Sequence, residues 1–176
     1  MGHLGAEIPH LQRVICYRTV HDIGAVVEKP LGSNRGTRVD EYNTRSGAPL
    51  GSYWCASWAT AIWEDAGAAV PPKERASCDA IVKWARKEAL WKEKSTTPEP
   101  GWMVLYTNGN TLADGPYKGQ LDAIHVGIIV AVDPLVLTME GNASLNFDRN
   151  GQAVVMRVMD KGKVYGYVVP RKKENT

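Results

Sequence analysis

Apolar residues recur at helical spacing through the first half of the chain and gather into extended runs in the second. Over residues 11–27, Leu11, Val14, Ile15, Ile23, Val26 and Val27 follow a three-to-four spacing that predicts an amphipathic helix. Pro30, Gly32, Asn34 and Gly36 then break the pattern. A short helix is expected over 37–45, closed by Ser46-Gly47-Ala48-Pro49. From Trp54 to Trp63, small and apolar residues surround the helical axis, which predicts a buried helix that stops before Gly67. Pro71-Pro72 punctuates the chain again. The next helix is expected from Ser77 as N-cap to about Leu90, with Ile81, Trp84, Ala85 and Leu90 facing inward.

After Pro98-Glu99-Pro100-Gly101 the period changes from helical to extended. Residues 102–106 read as a strand, 108–120 as a polar loop, and 125–132 as the strongest strand in the chain. A tight Asp133-Pro134 turn leads into a strand over 135–140, and two more follow near 153–159 and 164–169, joined through Lys161-Gly162-Lys163. Helices first and an antiparallel meander afterwards predict an α+β domain, with N-terminal helices packed on a C-terminal sheet of about five strands. The expected organisation is one domain over residues 1–170 and a frayed polar tail over 171–176.

Composition narrows the function classes. The 176 residues are 44% hydrophobic and 23% charged, enough to build a core. A net charge of +2 is too small for a protein that binds nucleic acid by charge alone, so no nucleic-acid partner is expected. No window approaches the roughly 18 apolar residues of a membrane span, so no membrane insertion is expected. The first residues, Met-Gly-His-Leu-Gly-Ala-Glu, show no basic and apolar signal-peptide pattern. Cys16, Cys55 and Cys78 are too few and too widely spaced for a disulfide scaffold or a Cys-x-x-Cys zinc site. His3, His10, His21 and His125 fall in no metal-ligand spacing, so neither metal nor cofactor is expected.

Three features converge on thiol chemistry. Cys55 stands at a predicted helix start after a Gly51-Ser52-Tyr53 turn, where unpaired N–H groups and the helix dipole stabilise a thiolate. His125 opens the strongest strand. Glu140 and Asn142 close the neighbouring strand, on the same side if the extended conformation continues. The turn at Asp133-Pro134 returns that strand end beside His125, so nucleophile, base and orienting group would meet. Taken singly, each has a plainer reading: a buried small hydrophobe, a structural histidine, and turn chemistry.

These residues carry a family resemblance. Asn34-Arg35-Gly36, Val39 and Tyr42, followed by Tyr53-Trp54-Cys55-Ala56-Ser57-Trp58, resemble the start of a CHAP domain, a cysteine, histidine-dependent amidohydrolase/peptidase. His125-Val126-Gly127-Ile128 and Glu140-Gly141-Asn142 are similar to that family's histidine strand and the acidic and amide positions after it. Pro100-Gly101 before a hydrophobic strand is similar to its connection into the sheet, although Trp102 stands where the family often has an acidic residue. The resemblance implies a papain-like fold and hydrolysis of an amide bond in bacterial peptidoglycan, either the sugar–peptide amide or a peptide bond. It implies Cys55 as nucleophile, His125 as base and later acid, and Glu140 or Asn142 as third member. Glu140 is favoured, because a carboxylate stabilises imidazolium more strongly than an amide. Some relatives bind calcium near the cleft, but no Asp-x-Asp-x-Asp-Gly pattern is present.

Tyr53, Trp54, Asn34 and Trp102 are the candidate substrate-binding residues, and Trp91 is a further candidate for the groove. Trp58, Trp63 and Trp84 fall at core spacings. Cys16 is expected in the core. Cys78 is a rival nucleophile with no histidine strand expected beside it, and a Cys16–Cys78 disulfide stays open. The leading reading is a monomeric peptidoglycan hydrolase made in the cytoplasm and acting on the wall from the periplasm or outside, with phage lysis as first choice. An injected antibacterial toxin would add a cognate inhibitor as partner. A papain-like peptidase or acyltransferase of non-wall substrates, and a non-catalytic binding module, are the competing readings.

Overall fold

The computed structural model describes residues 8–144 and 151–174. The readings placed on residues 1–7 and on the last two residues lie outside that range. Helices α1 (His10–Val20), α2 (Thr37–Ser46), α3 (Cys55–Asp65) and α4 (Cys78–Lys87) come first. Strands β1 (Trp91–Glu93), β2 (Met103–Thr111), β3 (Leu121–Ala131), β4 (Leu137–Ala143), β5 (Ala153–Val158) and β6 (Val164–Val168) follow. They form one antiparallel sheet in the order β1-β6-β2-β3-β4-β5. The architecture is α+β and compatible with a papain-like fold, with six strands rather than about five. None of the described helices is long and apolar enough to cross a membrane.

α3 is the centre of the packing. Every residue from Cys55 to Trp63 is buried, as its all-round apolar character predicts. It lies against β3 and β4. Trp54, Trp58, Ile62, Met103, Leu105, Val126, Ile128 and Met139 share one core. The intervening sheet residues Val104, Tyr106 and Ile129 join Trp102, Met159 and Tyr167 in a second, smaller cluster. This is the period-two alternation of a sheet covered on both faces.

α4 begins where the N-cap reading puts it, with Ser77 Oγ accepting from the Ala80 N–H at 3.2 Å. α1 ends at Val20, seven residues before the predicted end at Val27, because Asp22 turns inward. Its buried carboxylate accepts from the Tyr42 hydroxyl at 2.6 Å and the Trp58 indole at 2.8 Å, and Ile23, expected on the inner face, is exposed. β2 runs on to Thr111, shortening the predicted loop. The segment read as a frayed tail is tied down at its start: Lys172 bridges Ala68, and the Lys173 N–H donates to the Gly67 carbonyl at 2.9 Å.

Candidate active site

Cys55 is the first residue of α3, 8% exposed, and Trp54 before it has left helical geometry at φ −121° and ψ 11°. The thiol therefore sits at the positive end of the helix, among N–H groups without intrahelical partners. His125 reaches the site from β3, beside a register slip in which Tyr106 pairs with His125 and Thr107 with Ala123. Ile124 is the extra residue of this bulge, a device that re-aims a side chain next to it.

His125 Nε2 and Glu140 Oε2 are 2.9 Å apart. Nδ1 is thus the ring nitrogen left to face the thiol. Glu140 is buried and held from several sides: Oε1 accepts from the Tyr106 hydroxyl at 2.9 Å and the Thr138 hydroxyl at 2.7 Å, and Oε2 also meets the Arg157 guanidinium. The Tyr106 ring stacks on the imidazole, with centroids 6.0 Å apart.

Both motif glycines follow from these contacts. A Cβ at Gly127 would lie 2.7 Å from Glu140 Cγ and push the carboxylate away from its station. A Cβ at Gly141 would lie 2.9 Å from Trp54 and Trp58 and lift β4 off α3. Only glycine permits these two approaches.

The charges support one another. Cys55 lies well below an ordinary thiol: a hydrogen bond from Cys78 favours the thiolate, burial opposes it, and the charge and hydrogen bond of His125 together with the Ala56 N–H add to the lowering. Burial alone would depress the imidazole, yet the Cys55 thiolate and Glu140 raise it from 6.5 to about 9. Burial would likewise raise Glu140, but His125 and Arg157 bring it from 4.5 down to about 2. The resting site is a thiolate–imidazolium pair backed by a carboxylate. Cys16, by contrast, is pushed up to about 11 by burial. Near neutral pH, iodoacetamide is therefore expected to alkylate Cys55 at least tenfold faster than Cys16, read by peptide mass mapping. Equal labelling of the two would contradict an ionised Cys55.

Asn142, the other candidate third member, does not address the imidazole. Its left-handed backbone (φ 52°) turns it toward α3. With its amide set to satisfy both ends, the oxygen accepts from the Trp54 N–H at 3.1 Å and the nitrogen donates to the Gly151 carbonyl. It pins the strand end to the start of the nucleophile helix.

Of the candidate substrate-binding residues, Tyr53 is 60% exposed next to Cys55. Asn34 is half-buried, and its N–H donates to Glu28 Oε2 at 3.0 Å. Two of these expectations are corrected. Trp54 is fully buried, with its indole N–H given to Glu28 Oε1 at 2.9 Å, and presents no face to a ligand. Trp102 is 6% exposed in the second apolar cluster against Tyr167. Trp91, the further groove candidate, packs edge-on against Tyr165 with Arg86 over its ring.

Cys78 also departs from expectation. Its sulfur is 4.0 Å from Cys55 Sγ, so it adjoins the site, while Cys16 Sγ addresses the Ile129 carbonyl at 3.6 Å. Cys16 and Cys78 are not bonded to each other. Tyr106, Thr138, Arg157 and Glu28 support the site without any local sequence signal. Among the described residues, no group of three or more His, Cys, Asp or Glu is placed to hold a metal ion.

A family model described as CHAP domain matches residues 47–142, which include Cys55, His125, Glu140 and Asn142. Neither the curated proteins nor the solved structures yield a match to the chain.

Proposed function

This chain belongs to the CHAP domain family, whose members are cysteine, histidine-dependent amidohydrolases or peptidases, and on that footing we propose that it hydrolyses an amide bond of bacterial peptidoglycan. The observation that carries the proposal is the chain of contacts from the Cys55 thiolate through His125 to Glu140. Cys55 attacks the amide carbon, and the oxygen takes up negative charge where the N-terminus of α3, with the Cys55 N–H foremost, presents its donors. The His125 imidazolium gives its proton to the departing amine, leaving a thioester on Cys55. Neutral His125 then takes a proton from water, which attacks the thioester and releases the acid. Glu140 keeps the ring oriented and stabilises its charged form throughout. Tyr53, exposed beside the nucleophile, is the residue proposed to touch the substrate.

The test is mass spectrometry of purified peptidoglycan after digestion. Release of stem peptide from the sugar identifies an amidase, and new termini within stem or cross-bridge identify an endopeptidase. An undigested wall overturns the proposal. The proposed setting is phage lysis. The competing setting, an injected toxin, would be revealed by a cognate inhibitor protein that shields Cys55 from alkylation.

The charge state sets the pH dependence. Activity needs the thiolate and the imidazolium together, so kcat/KM is expected to fall on the alkaline side as His125 loses its proton at about 9. Stability follows the same groups. The raised His125 contributes fully below its ordinary 6.5, and that contribution is lost as pH rises through about 9. The lowered Glu140 contributes above its ordinary 4.5, and that contribution is lost as pH falls toward about 2. Cys55, held well below an ordinary thiol, adds stability as pH rises toward 9.0 and offsets the loss from His125. Tm, measured across the pH range, is therefore expected to fall as pH drops below about 6.5 and to change little between about 6.5 and 9. An activity profile still rising well above pH 9 would contradict the pair.

A further inference from the structure

Two of the three cysteines meet at the site. Cys55 Sγ and Cys78 Sγ lie 4.0 Å apart, each on the first residue of its helix, and both are thiols. Cys78 has no chemical step in amide hydrolysis. We propose that Cys55 and Cys78 form a reversible redox-modification site, in which a peroxide oxidises Cys55 and Cys78 closes the disulfide, masking the nucleophile. The masking of activity rests on the hydrolase reading above, whereas formation of the bond does not.

Each step balances. The Cys55 thiolate attacks one oxygen of the peroxide; the O–O bond breaks, the sulfur is oxidised to a sulfenic acid, and the other oxygen leaves as alkoxide or hydroxide. The Cys78 sulfur, giving up its proton, then attacks the sulfenic sulfur. The S–S bond forms, the S–O bond breaks, and the oxygen leaves as water. A dithiol reverses the change by thiol–disulfide exchange, restoring both thiols and becoming oxidised itself. The sulfurs must close from 4.0 Å to about 2.05 Å. Without a second thiol nearby, a second peroxide oxidises the sulfenic acid to the irreversible sulfinic acid, its other oxygen leaving as water or alcohol. The position of Cys78 diverts it from that path.

The test is titration of the whole chain with hydrogen peroxide, followed by non-reducing peptide mapping and thiol counting. The thiol count is expected to fall from three to one, with a Cys55–Cys78 linked peptide, the loss of two hydrogens in mass, and no covalent dimer. Wall hydrolysis should fall in step and return with dithiothreitol. Cys16→Ser should behave as the parent does. In Cys78→Ser, Cys55 should instead reach the sulfinic acid, and dithiothreitol should not restore activity. Sulfinic Cys55 beside an unchanged Cys78 thiol in the parent chain would overturn the proposal, as would disulfides between two chains. The mapping stands whether or not the chain degrades peptidoglycan, so failure of the hydrolase reading is told apart from failure of this one.

Discussion

Cys55→Ala is expected to abolish amide hydrolysis, a loss of roughly 10⁶-fold, the scale seen when a covalent nucleophile is removed. No other described group replaces it. Cys78 is 4.0 Å away, and the imidazole is held by Glu140 in the orientation that serves Cys55. The fold should survive, because the change removes one sulfur from the first turn of α3 and leaves the core contacts of Trp54 and Trp58 in place. The charge balance also survives. Without the thiolate, the largest influence raising His125 is gone, and the ring can become neutral. The readouts are turbidity of a wall suspension, the circular dichroism melt, and the His125 titration by NMR, which should move below 9. Activity within tenfold of the parent would end the nucleophile assignment.

Glu140→Gln should lower kcat by about 10²–10⁴-fold and cost about 3–5 kcal/mol of stability. The carboxylate is nearly inaccessible, and it faces two cationic groups and two hydroxyls. Glutamine can keep a similar shape, since the Tyr106 and Thr138 hydroxyls can turn to accept from its NH₂ group. It cannot keep the charge. The imidazolium and the Arg157 guanidinium then share a buried site without their anion, which is where the cost arises. The alkaline limb of the activity profile should shift below 9, because Glu140 is one of the groups that raise His125. That shift separates a positioning role from mere loss of folded protein, which would reduce activity equally at every pH. Asn142→Ala should not move the limb, since its amide addresses the Trp54 N–H and not the ring.

How much of this was legible in the sequence depends on the range of each interaction. Cys55 could be placed because a helix start is written locally, in a Gly-Ser-Tyr turn followed by small and apolar residues. His125 and Glu140 could be brought together because a tight turn joins their strands. Cys78, Tyr106 and Arg157 could not, since their partners lie 23, 34 and 17 residues away and meet only through tertiary packing. β1 was missed because its three residues are too few to show a period; it exists through pairing with β6. Trp54 and Trp102 were misplaced because an indole beside a motif reads equally well as a ligand platform or as core. Only the contacts with Glu28 and with Tyr167 decide the matter.

The strand order β1-β6-β2 has a consequence for how the molecule comes into being. Sulfur, imidazole and carboxylate have all been built into the chain once Asn142 is added, yet the slot between β1 and β2 stays empty until Val164–Val168 arrives. Until then β2, which carries the tyrosine bonded to Glu140, lacks one of its two lateral neighbours, and the arginine of β5 comes after Asn142 as well. A nascent chain thus holds every motif residue before it holds a working enzyme.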